Sequence, residues 1–456
     1  MTLQLDDPAG HSRSGDLAHA IDAAPWSGFQ KWILVLLSLV FAVDGLANQS
    51  LGIALPALIA DWRVPPGVFA PVAAANLAGV ALGSIAGGLL GDRLGRRWAL
   101  IGAIILFGLT TSGGALTQNA MQLMVVRFFD GLGIGAAIPN GAALISEFAP
   151  RNRRGRAIAI GMVFIPVGGI LAGGLGASLL EALGWRALLV AAGLVPIVLG
   201  VAFIGALPES PTFLLRAGKH AALERLLDRC GIRCAPGAQF EAPQVEAAIA
   251  PLRVLLSRNL RHRTLLLWGG FFTCLMASYT IFSWVPTMLH TLGFNLTMTS
   301  VGLTTFNTGG VIGALFSGVA LDRKGFSVTH LSMAVAASIL AAGLAVLLSA
   351  NFIAAALILP MMLALGFCMS GLHNTLYTLA ANTYPTAARA TGVGIASAVG
   401  RLGAVLSSFT GVMSLEYGAS LGFFGLVAIL LFICGIAGWA TRVGRAQHEV
   451  AFAAEA

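Results

Sequence analysis

Apolar residues in this chain come in long unbroken runs, separated by short charged or Pro/Gly-containing stretches. A helix of about 20 apolar residues crosses a hydrocarbon core of about 30 Å. Six such runs precede residue 208, over 32–60, 68–90, 98–116, 121–148, 157–180 and 186–206. Six more lie at 265–290, 297–321, 328–348, 352–384, 390–415 and 419–440. The pattern predicts an all-α integral membrane protein with twelve transmembrane helices. Between the two sets, 209–262 is the longest polar stretch. It carries Arg216, Lys219, Glu224, Arg225, Asp228 and Arg229 at roughly amphipathic spacing. That spacing predicts a cytosolic linker lying along the membrane surface.

Composition agrees with the runs. Of 456 residues, 57% are hydrophobic and 10% charged, against about 25% charged in an average soluble domain. A net charge of +8 invites a nucleic-acid reading, but placement decides against it. Of the 27 Lys and Arg, 23 fall in segments on the side of the N-terminus. Only Arg63 and Arg186 fall on the other side, while Arg127 and Arg401 sit inside spans. This asymmetry is the positive-inside pattern. It puts both termini and the linker in the cytoplasm and makes the lipid bilayer, not nucleic acid, the partner. Residues 1–31 are polar and contain Asp6, Asp7, Asp16 and Asp22, so no cleavable signal peptide is expected. Trp26, Trp32 and Trp185 near span ends fit an interfacial belt.

The chain repeats itself. Gly88-Leu-Leu-Gly-Asp92-Arg93-Leu-Gly95 ends the second run, and Gly318-Val-Ala-Leu-Asp322-Arg323-Lys-Gly325 ends the eighth. Pro150-Arg-Asn-Arg-Arg154-Gly and Pro385-Thr-Ala-Ala-Arg389-Ala follow the fourth and tenth. Two six-helix halves handling substrate between them near the midplane is a secondary-transporter plan. The expected parts are a tail over 1–31, a half over 32–208, the linker over 209–262, a half over 263–440 and a tail over 441–456.

These residues resemble the major facilitator superfamily. Gly88-x-x-x-Asp92-Arg93-x-Gly95-Arg96-Arg97 is similar to its loop 2–3 signature, and Arg127-Phe-Phe-Asp-Gly131-Leu-Gly133-Ile-Gly135 to its helix 4 signature. More narrowly, the chain resembles the aromatic acid:proton symporters, which import benzoate-type carboxylates. The matching residues are Asp44-Gly45, Pro139-Asn140 with Glu147, Leu207-Pro208-Glu209-Ser210 and Trp284-x-Pro286. Tyr384-Pro385-Thr386-x-x-Arg389-Ala390-Thr391-Gly392-Val393-Gly394, with Gly400-Arg401, completes the match. Three positions depart from the family. Ala47 stands where it carries a second helix 1 acid, His373 where Gln is common, and Asp130 where an uncharged residue is usual. The first departure bears on proton coupling, and all three bear on substrate choice.

Ionisable groups inside spans are costly and therefore functional candidates. Arg127 and Arg401 are each suited to gripping a carboxylate with two N–H donors. The alternative for Arg127 is an internal ion pair with Asp130, three residues on. Asp44, followed by Asn48 and Gln49, is the first candidate proton carrier and Asp130 the second. His373 is either a ligand or a packing residue. Tyr279, Trp284, Phe306 and Tyr377 are candidate walls for an aromatic ring, with Asn140 and Asn307 as hydrogen-bond donors. The resemblance implies gating roles for Gly88, Asp92, Arg93, Gly95, Arg96, Glu147, Asp322, Arg323 and Arg389. There, Asp92 would contact helix 11 and lock the cytoplasmic side. Glu147, beside Arg151, Arg153, Arg154 and Arg156, reads as a gate or structural pair.

Cys274, Cys368 and Cys434 lie in apolar runs, and the Cys230/Cys234 pair lacks neighbours for a metal site. No cofactor is expected, and no motif for an integral-membrane enzyme is present. The sequence therefore predicts a proton-coupled importer of an aromatic carboxylate, a monomer in the inner membrane. The alternative is a proton-driven exporter of a hydrophobic compound. Its support is Pro166 before Gly168-Gly169, a partial match to an antiporter motif that usually has glycine where Ile165 stands.

Overall fold

In a computed structural model the chain is helical almost throughout. The structure describes residues 15–232, 240–241, 252–258, 260–384 and 386–455. Cys234, Pro385 and parts of the expected linker and terminal tails lie outside the described residues. In chain order the helices are α1 (Leu17–Ala23), α2 (Gly28–Trp62), α3 (Ala70–Leu94), α4 (Arg96–Gly113), α5 (Ala120–Phe148) and α6 (Arg154–Ala206). There follow α7 (Pro211–Arg216), α8 (His220–Arg229), α9 (Leu252–Leu255), α10 (Arg261–Thr291), α11 (Leu296–Ser349), α12 (Ala355–Thr383) and α13 (Thr386–Glu455). The two-residue strands β1 (Gly15–Asp16) and β2 (Phe240–Glu241) pair in parallel.

Among the described residues nine helical stretches are long and apolar enough to cross a membrane, fewer than the twelve runs. The difference has a local cause. The 53 residues of α6 would extend about 80 Å if straight, well over twice a hydrocarbon core. Its backbone breaks at Gly184 (φ 79°, ψ 176°), as does that of α11 at Gly325 (φ 74°, ψ 172°). Glycine reaches positive φ without the Cβ penalty. In α13 the break falls at Ala419 (φ 45°, ψ −141°), where a Cβ makes the conformation costlier. The breaks at Gly184 and Gly325 fall in gaps between predicted runs, and that at Ala419 falls on the first residue of the run over 419–440. After Gly184, α6 turns from α2 to α4: Gly168 lies on Ala42, whereas Gly193 lies on Gly108 and Ser112.

Close helix approach depends on small residues. At the α2–α6 crossing, a Cβ on Gly168 would meet the carbonyl oxygen of Ala42, and one on Gly45 that of Ile165. Large apolar side chains instead face outward, among them Leu82, Ile85, Val198, Val201, Ile339, Leu402 and Ile429. Such an exposed apolar surface suits lipid.

The amphipathic spacing of the linker shows in which of its side chains are buried. Leu223, Leu226 and Leu227 of α8 are buried with Leu214 and Leu215 in one cluster with Phe148 and Phe203. The linker thus docks on the bundle. Trp185, expected at a lipid interface, is instead buried and donates from Nε1 to Asp61 at 2.9 Å. Trp32, 53% exposed, does lie on the outer surface.

Candidate functional site

Polar groups inside the bundle gather in three places. The first is built by pairs of residues four apart, which lie on one helix face. They are Asp44 and Asn48 on α2, His373 and Tyr377 on α12, and Ser397 and Arg401 on α13. Arg401 Nη1 donates to the Ser84 hydroxyl of α3. It lies within charge–charge range of Asp44, Tyr279 and Tyr377. The Tyr377 hydroxyl is 3.2 Å from that of Ser397, and its ring packs edge-on to Phe271 at 4.9 Å and beside His373 at 5.2 Å. Tyr279 lies beside Asn48. Asn48, Tyr279, His373, Tyr377 and Arg401 are all half-buried, so they border accessible space rather than filling a sealed core. Asp44 is 3% exposed, and among the described residues its Oδ1 has no hydrogen-bond partner, nor does Nε2 of His373.

The second place is closed. Arg127 Nη1 lies 2.8 Å from Asp130 Oδ2, both side chains buried. Asp130 also accepts from Asn76 Nδ2 at 3.1 Å and from the Thr111 hydroxyl at 2.7 Å. Of the two alternatives for Arg127, the structure realises the internal ion pair. The neighbouring cavity, bordered by Arg127, Asn48, Tyr279 and Trp284, holds about 30 Å³, room for a water but not for an aromatic ring.

The third place joins the N-terminal and C-terminal helices. Gln49 Nε2 donates to Asn307 Oδ1 at 3.1 Å, and Asn307 Nδ2 donates back to Gln49 Oε1 at 2.7 Å. Asn307 is thereby occupied rather than free for a ligand. Asn140 is also occupied, donating to the carbonyls of Gly87 and Ala136 at 2.8 and 2.9 Å. Trp284 and Phe306 are buried, with Phe306 edge-on to Phe282 at 5.8 Å.

At the linker end, the residues with expected gating roles divide. Arg96 bridges Asp92 at 3.5 Å and Glu147 at 2.8 Å. Glu147 also accepts from the Ser210 hydroxyl. Its ionic partner is therefore Arg96 and not the downstream arginines, of which Arg154 faces Asp22 at 3.6 Å. Gly95 takes φ 98°, and Glu209 beside it accepts from the Arg97 backbone N–H at 3.0 Å. Asp92 is 58% exposed, and among the described residues its ion pair is with Arg96 and not with the helix carrying Arg401. Gly88 is half-buried, and Arg93, Asp322, Arg323 and Arg389 are exposed; among the described residues none of the latter three is ion-paired. Also among the described residues, no cluster of three His, Cys, Asp or Glu could hold a metal ion.

Sequence reasoning missed Ser84, Asn76, Thr111 and Ser397. Ser397 was signalled by its four-residue spacing from Arg401; the others reach partners on different helices and carry no local mark.

A profile described as Major Facilitator Superfamily matches residues 37–408. The gallate transporter of Pseudomonas putida is 33% identical over 427 residues, covering 92% of this chain and 94% of that protein. The 4-hydroxybenzoate transporter PcaK of Pseudomonas aeruginosa is 32% identical, covering 88% and 90%. The 3-(3-hydroxy-phenyl)propionate transporter of Escherichia coli is 31% identical, covering 81% and 83%. Among solved structures, the xylose transporter XylE from E. coli, partially occluded and inward open, superposes with a TM-score of 0.71. It has 17% identity and coverage of 91% of this chain and 98% of that one, a likeness of fold. The chain belongs to the major facilitator superfamily, is related to its aromatic acid transporters, and is not an enzyme.

Proposed function

We propose that the chain is a secondary active transporter that imports an aromatic monocarboxylate together with protons by alternating access. The observation that carries this reading is the position of Arg401. Its guanidinium stands between the two sets of helices, beside Asp44, Tyr279 and Tyr377, and faces accessible space. A half-buried guanidinium suits a carboxylate, and flanking aromatic side chains suit a ring. Arg401 is therefore the preferred carboxylate ligand, with Tyr279, Tyr377 and His373 along the ring and Asp44 as the proton carrier. Arg127 and Asp130 hold the neighbouring helices. The relatives named for gallate, 4-hydroxybenzoate and hydroxyphenylpropionate support the substrate class.

In this reading the breaks at Gly184, Gly325 and Ala419 are turns at a membrane surface, giving twelve spans in two halves. The linker and both termini are cytoplasmic, and the membrane is the bacterial inner membrane. The hydrogen bonds between the halves support an arrangement open on the linker side. Gly67 to Glu416 at 3.1 Å and Thr297 to Glu181 at 3.1 Å lie at the opposite end, and Gln49 to Asn307 nearer the middle. The exporter alternative rests on Gly168 and Gly169, which pack on Ala42 and on the Gln49–Asn307 pair.

Uptake of labelled benzoate, 4-hydroxybenzoate and gallate into proteoliposomes tests the proposal. An imposed inward proton gradient is expected to drive accumulation, and a protonophore to collapse it. Gradient-driven extrusion of hydrophobic dyes with no accumulation of any aromatic acid would overturn it.

A further inference from the structure

At the linker end a groove of about 560 Å³ opens between α8, the start of α4 and the turn after α6. Its walls differ in chemistry. One is the outer apolar surface of the bundle, where Leu94 is 60% and Trp98 51% exposed. The other carries Lys219, Arg225 and Arg229, with Arg97 between them and the bundle. Ala222, Arg225, Leu226 and Arg229 share one face of α8, whereas Glu224 and Asp228 lie off it. Among the described residues the one acid lining the groove, Glu209, already accepts from the backbone N–H groups of Arg97 and Ser210 at 3.0 and 2.9 Å.

The cations are poorly neutralised. Among the described residues, Lys219, Arg225 and Arg229 form no ion pair. Arg97 lies over the Trp98 ring at 4.9 Å and donates to the Ile204 carbonyl, while its Nε is buried with no partner among the described residues. Four cations thus surround a space whose open edge is greasy.

We propose that this groove binds the headgroup of an anionic phospholipid, with the acyl chains lying over Leu90, Leu94 and Trp98. Each wall excludes a different competitor. A soluble phosphate uses the cations but gains nothing from Leu94 and Trp98. A zwitterionic lipid uses the apolar wall but brings its ammonium toward four cations. An anionic amphiphile satisfies both, and basic segments at a membrane surface draw such lipids electrostatically. Its headgroup ties α8 to the α3–α4 junction, next to the Asp92–Arg96–Glu147 cluster. The inference does not depend on which substrate is carried.

The delipidated full chain in detergent, titrated with phosphatidylglycerol, phosphatidylcholine or inorganic phosphate, provides the test by native mass spectrometry and thermal shift. Phosphatidylglycerol is expected to be retained and to raise the melting temperature. Phosphatidylcholine should be retained more weakly, and phosphate should protect little. The Arg225→Gln/Arg229→Gln variant should bind phosphatidylglycerol about thirty-fold more weakly, about 2 kcal/mol, with phosphatidylcholine unchanged. Arg229 also packs on Phe29 at 4.2 Å, so the single exposed change Arg225→Glu decides the matter if the double variant fails to fold. Unchanged phosphatidylglycerol binding in a folded variant would overturn the proposal. So would equal retention of the two lipids, or protection by phosphate equal to that by phosphatidylglycerol.

Discussion

Arg127 is held by Asp130 one helical turn further along α5, at 2.8 Å and out of contact with solvent. From sequence alone Arg127, like Arg401, is a candidate for an anionic ligand, because it falls inside a span. The pairing changes its meaning. Desolvation of two ions is repaid only when they have each other and further hydrogen bonds, here from Asn76 and Thr111.

Removing one member strands the other. Asp130→Asn and Arg127→Leu should therefore each destabilise the protein by about 3 kcal/mol, whereas Arg127→Leu with Asp130→Leu should recover most of that loss. Thermal unfolding in detergent measures this. Arg127→Leu that unfolds like wild type and loses only substrate affinity would return Arg127 to the binding site.

Arg401 should behave differently. Its guanidinium is half-buried and shares a hydrogen bond with Ser84, not an ion pair. Arg401→Leu should lower uptake kcat/KM about a hundredfold, the equivalent of a charge-assisted hydrogen bond of about 3 kcal/mol, with little change in unfolding. Arg401→Lys keeps the charge but loses the planar fork, so it should retain part of the activity. Equal uptake by all three proteins would remove the carboxylate from this position.

The helices and their breaks were readable because long apolar runs and glycine punctuation are local signals. Pairs four residues apart, such as Asp44 with Asn48 and His373 with Tyr377, were readable for the same reason. What joins them was not. Ser84 meets Arg401, Gln49 meets Asn307 and Arg96 meets Glu147 across different helices, and no periodicity records a contact between distant segments. The sequence also offered Asn140 and Asn307 as free donors, since a side chain's existing partners are invisible until the helices pack.

The docking of α8 predicts an inert thiol. Cys230, just past α8, is 3% exposed, and burial pushes its thiol up to about 11 from an ordinary 9.0. The thiolate is the reacting form, so a two-unit rise lowers its fraction at pH 8 about a hundredfold. In a Cys234→Ser background, Cys230 should react with a maleimide far more slowly than an exposed thiol, and Leu226→Asp should speed it. Fast labelling of Cys230 in that background without the Leu226 change would mean that α8 does not dock.

The two buried acids should separate coupling from architecture. Asp130 is ion-paired with Arg127 and accepts from Asn76 and Thr111. Asp44 has an oxygen without a protein partner, beside Arg401 and close to accessible space. A proton arriving on Asp130 must displace strong contacts, whereas one arriving on Asp44 displaces none at Oδ1. Ala47, where the resembling family has a second acid, leaves Asp44 without a neighbouring carboxyl on its own helix to share the proton. Asp44→Asn should therefore abolish gradient-driven accumulation while leaving substrate exchange between equilibrated compartments. Asp130→Asn should weaken folding and binding but leave the residual uptake as pH-dependent as before. Counterflow and proton-driven uptake, measured on the same proteoliposomes, separate the two effects. Full proton-driven accumulation by Asp44→Asn would move the proton site elsewhere, and loss of pH response in Asp130→Asn alone would move it to α5.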